Sequence, residues 1–490
     1  MSKYEIVIGM EVHAELLTES KQFCGCANTA LAEPNTHVCP VCLGFPGSLP
    51  VLNAKSVDLS LRTVLAFDSK INRDCIFERK NYFYPDLPKA YQTTQMLLPL
   101  GEGGFIEIDV KGENGDYVKR VGLHDVHMEE DTGKSQHGEA VGDPDSSLVD
   151  FNRAGIPLLE IVSNPDMRSV EEAEAYMQAL RQLLLYLEVS DCKMEQGRLR
   201  FEASISLRPH GDPKLGTRVE VKNLNSMKSV RDSIRAEIER QTKMLDRGEK
   251  VQQQTMLWDE ASGTTQPMRS KEQAHDYRYF PEPDLVPLQI DDAWLERVRA
   301  EMPELPRAKR QRLQEQLGLS AYDAEVLTTT REIAAYYESA LQGYDKEGAA
   351  KTLSNWVANE LLGRLNAESK NITESKVKPA QLRGLVKLID DGTISGKIAK
   401  EVFDEMFASG RDAAEIVQEK GLTQMSDTGE IEEICRRVIA ANERAVADYL
   451  GGKEKSFGAL VGGVMKETKG RANPALVNQT LRSELEKLKA

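Results

Sequence analysis

The prolines of this 490-residue chain are concentrated in its N-terminal part. Sixteen of the twenty prolines lie before residue 290, and only four follow: Pro303, Pro306, Pro379 and Pro474. Because proline lacks a backbone N–H and its ring clashes with the preceding helical turn, it breaks or kinks helices. The distribution predicts mixed strands and loops before residue 290 and predominantly helical structure from about Asp291 onward.

Local patterns before residue 290 predict several strands. Tyr4–Ile8 is apolar, and Arg200–Leu207 alternates polar with apolar residues, with Thr217–Val221 as a possible partner. Phe105–Val110 and Tyr117–Leu123 flank a Gly-Glu-Asn-Gly segment that is typical of a hairpin turn.

Two helices are predicted among these strands. One follows the capping box Ser169-x-x-Glu172 and runs to about Leu187, and the other spans about Ser226 to Leu245. This texture indicates an α+β fold. At roughly 150 residues per domain the length corresponds to about three domains, and we expect one boundary within the helical part near residues 340–375.

The chain is acidic, with 63 Lys and Arg residues against 78 Asp and Glu residues and a net charge of −15. The overall field repels phosphate, which excludes a general DNA coat and requires a local basic patch for any nucleic acid. The sequence has no apolar stretch of signal-peptide length and no membrane-spanning window. We therefore expect a cytoplasmic protein.

Four of the seven cysteines form two close pairs, Cys24 with Cys26 and Cys39 with Cys42. An odd count in a long chain argues against a disulfide framework. Thiolates paired at short spacing can converge tetrahedrally on Zn²⁺, in a closed and therefore structural site, and His37 could replace one sulfur. The alternative is four reduced thiols without metal. The other cysteines are predicted to be small core residues: Cys75, Cys192 and Cys435.

A second group combines histidine with carboxylates. Glu11 and His13 are separated by one residue, so a strand would place both side chains on one face. His124–Asp131 contains two histidines and several acids, and Glu160 follows an apolar segment. Crowded carboxylates repel one another unless a cation or protons relieve them, and oxygen ligands suit Mg²⁺. The alternative is a solvated acidic loop with one core histidine.

Two glycine-containing segments are not nucleotide motifs. Thr132-Gly-Lys-Ser135 resembles the end of a P-loop, but Met128 stands where the first glycine is required and acids precede the segment. Gly101-Glu-Gly-Gly104 lacks dinucleotide spacing and is interpreted as a turn. No P-loop or Rossmann site is predicted.

Cations occur beside aromatic rings or helix ends in three places. Arg79–Lys89 and His275–Asp284 interleave cations with aromatic rings, which can stack a base and contact phosphate, or simply pack against a sheet. Lys466, Lys469 and Arg471 lie between two predicted helices, the second with Asn473 as N-cap and Pro474 at its first position. They could contact phosphate, or form a solvated helix cap.

Together these segments resemble the B subunit of the glutamyl/aspartyl-tRNA amidotransferase. The resemblance covers essentially the full chain in one order of motifs: Gly9–His13, the four clustered cysteines with Cys39–Gly47, Lys80–Lys89, His127–Lys134, Asp150–Glu160, Val221–Ser226, Asp276–Asp284, Asp391–Lys400 and Gly470–Pro474. So many long motifs in one order make chance similarity implausible.

The resemblance implies a ligase subunit that converts Glu-tRNA(Gln) to Gln-tRNA(Gln), and often Asp-tRNA(Asn) to Asn-tRNA(Asn). In this family an amidase subunit releases ammonia from glutamine. The B subunit uses ATP and Mg²⁺ to phosphorylate the tRNA-linked carboxylate, and ammonia displaces the phosphate. The expected partners are the amidase subunit, a small third subunit of the heterotrimer, and tRNA(Gln), tRNA(Asn) or both, without DNA or membrane.

The implied fold is a cradle-shaped α+β domain with a zinc-binding loop over residues 1–290, a helical linker domain over 291–370 and a small all-α tail domain over 371–490. The cradle is expected to hold ATP, Mg²⁺ and the tRNA acceptor end, and the tail to bind the tRNA body.

The resemblance also implies the site residues. Glu11, His13, Glu130 and Glu160 are expected to form the catalytic site and hold Mg²⁺, with Glu129 nearby. Contacts to ATP phosphates or to the tRNA end are expected from four cations: Lys80, Lys89, Lys134 and Arg153. Structural zinc is expected at Cys24, Cys26, Cys39 and Cys42, and tRNA contacts at Lys466, Lys469 and Arg471.

The sequence departs from the family pattern at two places. Arg200-Phe-Glu-Ala-Ser204 stands where the family usually reads Arg-Cys-Asp-Ala-Asn, and Gly463 replaces a glutamine. Neither change touches the expected metal ligands. The alternative to an enzyme subunit is a non-catalytic, zinc-containing tRNA-docking scaffold, which retention of the metal residues disfavours.

Overall fold

A computed structural model of the chain describes residues 3–29, 31–112, 115–138, 143, 145–268, 274–423, 425, 428–468 and 470–488. The chain divides into two compact units, Met1–Leu305 and Pro306–Ala490. The described strands all belong to the first unit, whereas the second unit is built from helices. This confirms the expected mixed α/β domain followed by a helical region.

The described strands follow one another along the first unit. They are β1 (Tyr4–Glu15), β2 (Lys70–Ile71), β3 (Asp74–Cys75), β4 (Glu78–Asn81), β5 (Tyr91–Thr94), β6 (Gly101–Glu102), β7 (Phe105–Val110), β8 (Tyr117–Glu130), β9 (Lys134–His137), β10 (Ser147–Asp150), β11 (Pro157–Ser163), β12 (Leu199–Pro209), β13 (Val219–Lys222), β14 (Gln254–Asp259), β15 (Thr264–Pro267), β16 (Phe280–Pro281) and β17 (Leu288–Gln289).

Ten of these strands form one sheet with β1 near its centre. The order is β15-β14-β13-β12-β1-β11-β8-β6-β2, and β7 pairs with β8 outside this path. β1 pairs antiparallel with β12 on one side and β11 on the other, and β11 pairs antiparallel with β8. The predicted β7–β8 hairpin and the pairing of β12 with β13 are confirmed. β1 extends beyond the predicted Tyr4–Ile8, so Glu11 and His13 lie within it.

The two faces of the central strands differ in polarity. Alternate residues of β1, such as Met10 and Val12, lie in the main hydrophobic core, as do Phe201 and Ala203 of β12. Successive side chains of a strand point to opposite faces. His13 and the other intervening residues therefore lie on the opposite, polar face, where the candidate site is formed.

Helices cover the core and make up the second unit. They are α1 (Ala54–Ala66), α2 (Val170–Tyr186), α3 (Met227–Asp246), α4 (Asp292–Ala300), α5 (Pro306–Leu317), α6 (Ala321–Leu327), α7 (Arg331–Leu341), α8 (Ala349–Asn355), α9 (Leu362–Ala367), α10 (Pro379–Asp390), α11 (Gly396–Ser409), α12 (Ala413–Lys420), α13 (Thr428–Ala441), α14 (Glu443–Leu450), α15 (Lys455–Glu467) and α16 (Pro474–Lys487), with a π-helical segment at Trp356–Leu361 between α8 and α9.

The predicted helix starts are confirmed by their caps. The Ser169 hydroxyl accepts the Glu172 N–H at 3.1 Å, and Asn473 accepts the N–H of Ala475 at 2.9 Å. The Glu172 carboxylate accepts the N–H of Arg168 at 2.6 Å, so the reciprocal half of the capping box is displaced by one residue. Among the described helices, none combines the length and the apolar character that a bilayer crossing requires.

The second unit contains two separate hydrophobic cores. One core draws its residues from Leu313 to Val417, and the other from Ile431 to Leu485. The first core continues across residue 370, where the linker and tail domains are expected to meet. Within the described residues, the change from one core to the other lies between Val417 and Ile431.

Candidate functional site

A histidine and two carboxylates converge on the polar face of the central sheet. His13 of β1 lies directly opposite Glu160 of β11, and Glu160 lies opposite His127 of β8. The His13 Nε2 atom is 3.4 Å from Glu160 Oε2 and 3.5 Å from Glu129 Oε1. One ligand atom from each of His13, Glu129 and Glu160 lies within 4.8 Å of the others.

Two atoms of this group are buried without a hydrogen-bond partner in the described part of the chain: His13 Nδ1 and Glu129 Oε2. Unpaired buried polar atoms are unfavourable, and those at functional sites commonly await a ligand. Imidazole and carboxylates close together on one face fit a divalent cation such as Mg²⁺. Of the residues expected to hold Mg²⁺, the structure therefore brings together His13, Glu129 and Glu160.

The mutual charges of the group shift its pKa values. Burial alone would lower the pKa of His13, but the carboxylates of Glu160 and Glu129 outweigh burial and raise it to about 9. Burial would raise the pKa of Glu160, but His127 and His13 hold it well below its ordinary value. Burial and repulsion by Glu160 raise the pKa of Glu129. A proton on His13 offsets part of the negative charge of these carboxylates. A bound cation would offset the same charge.

His127 is held between two carboxylates. Its Nδ1 lies 2.6 Å from Asp125 Oδ1, and its Nε2 lies 3.1 Å from Glu160 Oε2. The other Asp125 oxygen is 2.6 Å from Nδ1 of His124, which is exposed. Burial lowers the pKa of His127, but Glu160 and Asp125 outweigh burial and raise it well above its ordinary value.

Glu11 belongs to a second acidic group. Ligand atoms of Glu11, Glu202 of β12 and Glu220 of β13 lie within 4.8 Å of one another. Lys222 contacts this group, with Nζ 2.7 Å from Glu202 and 3.2 Å from Glu220. Glu11 therefore lies on the expected face of the sheet, but it belongs to the second acidic group. Lys222 already neutralises part of the negative charge of that group.

His13, Glu129 and Glu160 line one cavity of about 240 Å³ together with Glu11 and Glu202 of the second group. Lys80, Arg200 and Lys222 bring positive charge to it, and Tyr82 contributes an aromatic ring. Burial lowers the pKa of Lys80, but Glu129 and Glu160 outweigh burial and raise it. The cavity therefore offers carboxylates for a metal ion and cations for phosphate oxygens.

The other expected phosphate contacts lie elsewhere. Lys134 is exposed on β9, and the Arg153 guanidinium donates to the backbone oxygens of Thr132 at 3.1 Å and Gly133 at 2.7 Å. Lys89 is paired with Glu130. Of the four cations expected to contact phosphate, only Lys80 lines this cavity among the described residues.

Glu130 is not brought together with the other expected metal ligands. It follows Glu129 directly on β8, so the two side chains leave opposite faces of the strand. Its carboxylate accepts from Lys89 Nζ and from the Thr93 N–H at 2.9 Å. Glu130 and Lys89 line a separate cavity together with Cys24 and other residues of the cysteine loop.

The four clustered cysteines come together as predicted. One sulfur from each of Cys24, Cys26, Cys39 and Cys42 lies within 4.8 Å of the others, and His37 is outside this group. A hydrogen bond with Cys24 and the backbone N–H of Cys39 lower the pKa of Cys42 to about 5, although burial opposes this shift. Four sulfurs at this separation fit a tetrahedral Zn²⁺.

The two aromatic segments meet in a small sheet of order β16-β4-β5, in which Phe280 pairs with Arg79. The Tyr82 ring contacts those of Tyr84 at 5.9 Å and Tyr277 at 6.0 Å, and Tyr277 contacts Tyr279 at 5.9 Å, all edge to face. Tyr82 also lines the acidic cavity, so this tyrosine cluster adjoins the candidate site.

The tail cations are only partly described. Lys466 is exposed in the last turn of α15, and Arg471 is half-buried. Lys469 lies outside the described residues. At Gly463 an added Cβ would meet Val438 Cγ1 at 2.8 Å, so the departure from the family glutamine coincides with close packing of α15 on α13.

The sequence-based site prediction lacks three charged residues of β12 and β13 that line the cavity, Arg200, Glu202 and Lys222, and it lacks Glu220 of the second acidic group. The alternation of Leu199–Ile205 could have indicated the missing residues of β12, since Arg200 and Glu202 occupy polar positions on one face of that strand. Nothing local indicates that this strand lies beside β1.

Comparison with known proteins gives two family matches. Residues 6–296 match the GatB/GatE catalytic domain, and residues 335–485 match the GatB domain. The B subunit of the aspartyl/glutamyl-tRNA(Asn/Gln) amidotransferase of Carboxydothermus hydrogenoformans is 54% identical over 100% of both chains. The proteins of the same name from Moorella thermoacetica and Geotalea uraniireducens are 54% and 52% identical, over 99% of this chain and 100% and 99% of theirs.

Proposed function

Because the chain belongs to the family of aspartyl/glutamyl-tRNA(Asn/Gln) amidotransferase B subunits, we propose that it catalyses the ATP-dependent transamidation of Glu-tRNA(Gln), Asp-tRNA(Asn) or both. The observation that carries this proposal is the convergence of His13, Glu129 and Glu160 in a cavity that Lys80 and Arg200 also line. Metal ligands beside phosphate-binding cations are the parts that phosphoryl transfer requires.

The proposed reaction has two steps. A carboxylate oxygen of the tRNA-linked amino acid bonds to the γ-phosphorus of ATP, and the bond from that phosphorus to the bridging oxygen breaks, which releases ADP. Ammonia nitrogen then bonds to the acyl carbon, phosphate leaves with the electrons of the C–O bond, and nitrogen loses a proton. The first step is needed because a free carboxylate is a poor acyl donor.

The chain's own residues have separable roles in this proposal. His13, Glu129 and Glu160 hold Mg²⁺, with Glu11 on the adjoining acidic group. Bound Mg²⁺ would neutralise the charge that moves between phosphate oxygens. Lys80 and Arg200 contact phosphate oxygens, and the tyrosine cluster around Tyr82 stacks on the terminal bases of the tRNA or on adenine.

The proposal also covers the cysteine cluster, the cations near the C-terminus and the partner subunits. The four clustered cysteines hold a structural Zn²⁺, and Lys466, Lys469 and Arg471 contact the tRNA body. The amidase subunit supplies ammonia by hydrolysing glutamine, and a small third subunit completes the complex. The pairing of Lys89 with Glu130 supports a role for these two residues outside the metal site.

The test is an amidation assay of the assembled complex with radiolabelled ATP, ammonia and Glu-tRNA(Gln) or Asp-tRNA(Asn). Replacing Glu160 by Gln should lower tRNA-dependent ADP formation by about 100-fold or more, because a metal ligand is lost. Glu296→Gln, at an exposed position of α4, is the matched control and should retain wild-type rates.

Two results would contradict the proposal. Unchanged ADP formation in Glu160→Gln would show that Glu160 is not a ligand of the catalytic metal ion. A wild-type complex that binds tRNA but forms neither ADP nor amidated product would instead support the non-catalytic, zinc-containing docking scaffold.

A further inference from the structure

A β-bulge shapes the part of β8 that faces the metal-binding group. Val162 of β11 pairs with Asp125, but the next residue, Ser163, pairs with Leu123, so His124 is the extra residue. Leu123 and Val126 both remain in the hydrophobic core. Bulges commonly re-aim side chains beside active sites. Asp125 and His127 follow the bulge at alternate positions of β8 and therefore lie together on the polar face.

Both ring nitrogens of His127 contact carboxylates. Asp125 Oδ1 lies 2.6 Å from Nδ1, and Glu160 Oε2 lies 3.1 Å from Nε2. The imidazole is therefore held between Asp125 and Glu160, and its side chain is only 13% exposed.

Glu160 depends on this arrangement for its orientation. Its Oε2 atom is shared between His127 Nε2 at 3.1 Å and His13 Nε2 at 3.4 Å. A ligating carboxylate needs such outer partners to hold it in one orientation. Without the His127 imidazole, Glu160 would lose the closer of its two histidine contacts and gain freedom to rotate away from His13 and Glu129.

We propose that Asp125 and His127 form a positioning pair that orients the Glu160 carboxylate for a divalent cation. Asp125 fixes the imidazole, and the imidazole fixes the carboxylate. Neither residue needs to contact ATP or tRNA for this role. This inference rests on the proposed metal site. It attributes the orientation of the Glu160 carboxylate to two residues, Asp125 and His127, that are not themselves metal ligands.

The experiment measures Mn²⁺ binding to the full-length chain in its complex, by electron paramagnetic resonance of free Mn²⁺. The relevant site is the one whose occupancy is lost in Glu160→Gln. Asp125→Ala and His127→Asn should weaken binding at this site by about 10- to 100-fold, the usual effect of removing an outer partner of a metal ligand. Circular dichroism checks that each variant is folded.

Two further variants separate positioning from packing. His127→Gln retains an amide group near the position of the imidazole Nε2. Its Mn²⁺ affinity should therefore stay within about threefold of wild type, a much smaller loss than removal of an outer partner causes. His124→Gln changes the exposed histidine that contacts the other oxygen of the same Asp125. It should leave Mn²⁺ affinity unchanged.

The outcomes distinguish this inference from the proposed function. Wild-type Mn²⁺ affinity in folded Asp125→Ala and His127→Asn would overturn the positioning pair, and so would equal losses in His127→Asn and His127→Gln. If Glu160→Gln and His13→Ala also bind Mn²⁺ like wild type, the metal site itself is wrong.

Discussion

Glu15 carries a carboxylate in a buried environment that disfavours its charged form. It lies at the end of β1 and is 5% exposed. Burial and then repulsion by Asp131 raise the pKa of Glu15 to about 7 from an ordinary value of 4.5, although nearby arginines oppose the shift. Between these values the unfolded chain loses its proton before the folded chain does. The free energy of unfolding therefore falls as pH rises from 4.5 to 7, and the loss persists above pH 7.

Replacing Glu15 by Gln should remove this penalty. We expect the variant to be more stable than wild type at pH 8 by about 1–3 kcal/mol, since each unit of pKa shift corresponds to about 1.4 kcal/mol. The difference should vanish near pH 4, where both states are protonated. Urea unfolding at the two pH values measures it, with exposed Glu19→Gln as the control. Equal stabilities at pH 8 would show that Glu15 is ionised without strain.

At the scale of elements, the cysteine loop between β1 and α1 has little regular structure of its own. Its one isolated bridge among the described residues joins Ser20 to Ala27. Side-chain contacts tie the loop to the segment after β10: Asn35 Oδ1 accepts the Phe151 N–H at 2.8 Å, and Asn152 Oδ1 accepts the His37 N–H at 2.8 Å. A metal ion would add the cross-link that the loop lacks.

Removal of zinc should therefore loosen this loop selectively. After chelation, amides of residues 21–47 should exchange with solvent at least about tenfold faster, because local opening no longer breaks metal–sulfur bonds. Amides of β1 should be unaffected, and far-ultraviolet circular dichroism should change little. Hydrogen exchange read by mass spectrometry measures this. A variant with all four clustered cysteines replaced by serine is the control, since a chelator should not alter it.

Unchanged exchange in wild type after chelation would leave the four cysteines as reduced thiols without metal.

At the scale of the whole molecule, the two cores of the helical unit decide where the chain can be cut. A deletion from residue 375 would remove Leu382, Leu385 and Phe403 from a core that begins at Leu313. A deletion of residues 425–490 instead removes the second core and leaves the first complete. Only the second cut removes the C-terminal part of the expected tail domain without disrupting the first helical core.

Deleting residues 425–490 should weaken tRNA binding by about tenfold or more, because the cations proposed to contact the tRNA body are lost. Association with the amidase subunit should persist, since the first unit is intact. Filter binding of tRNA and co-purification of the amidase subunit measure these effects. In the full chain, Lys466→Gln with Arg471→Gln should weaken tRNA binding in the same direction, and Lys487→Gln on α16 is the exposed control. Unchanged tRNA affinity in both variants would contradict a role for the tail.

Proline content and periodicity were enough to predict an α+β part followed by a helical part. Short spacings within one loop or one strand likewise predicted that the four clustered cysteines come together and that Glu11 and His13 share a face. The tertiary structure was needed to show that Glu130 pairs with Lys89, away from His13, Glu129 and Glu160, and that Arg200 and Lys222 line the cavity. The register between strands distant in the chain depends on packing of the whole sheet, which no local pattern encodes.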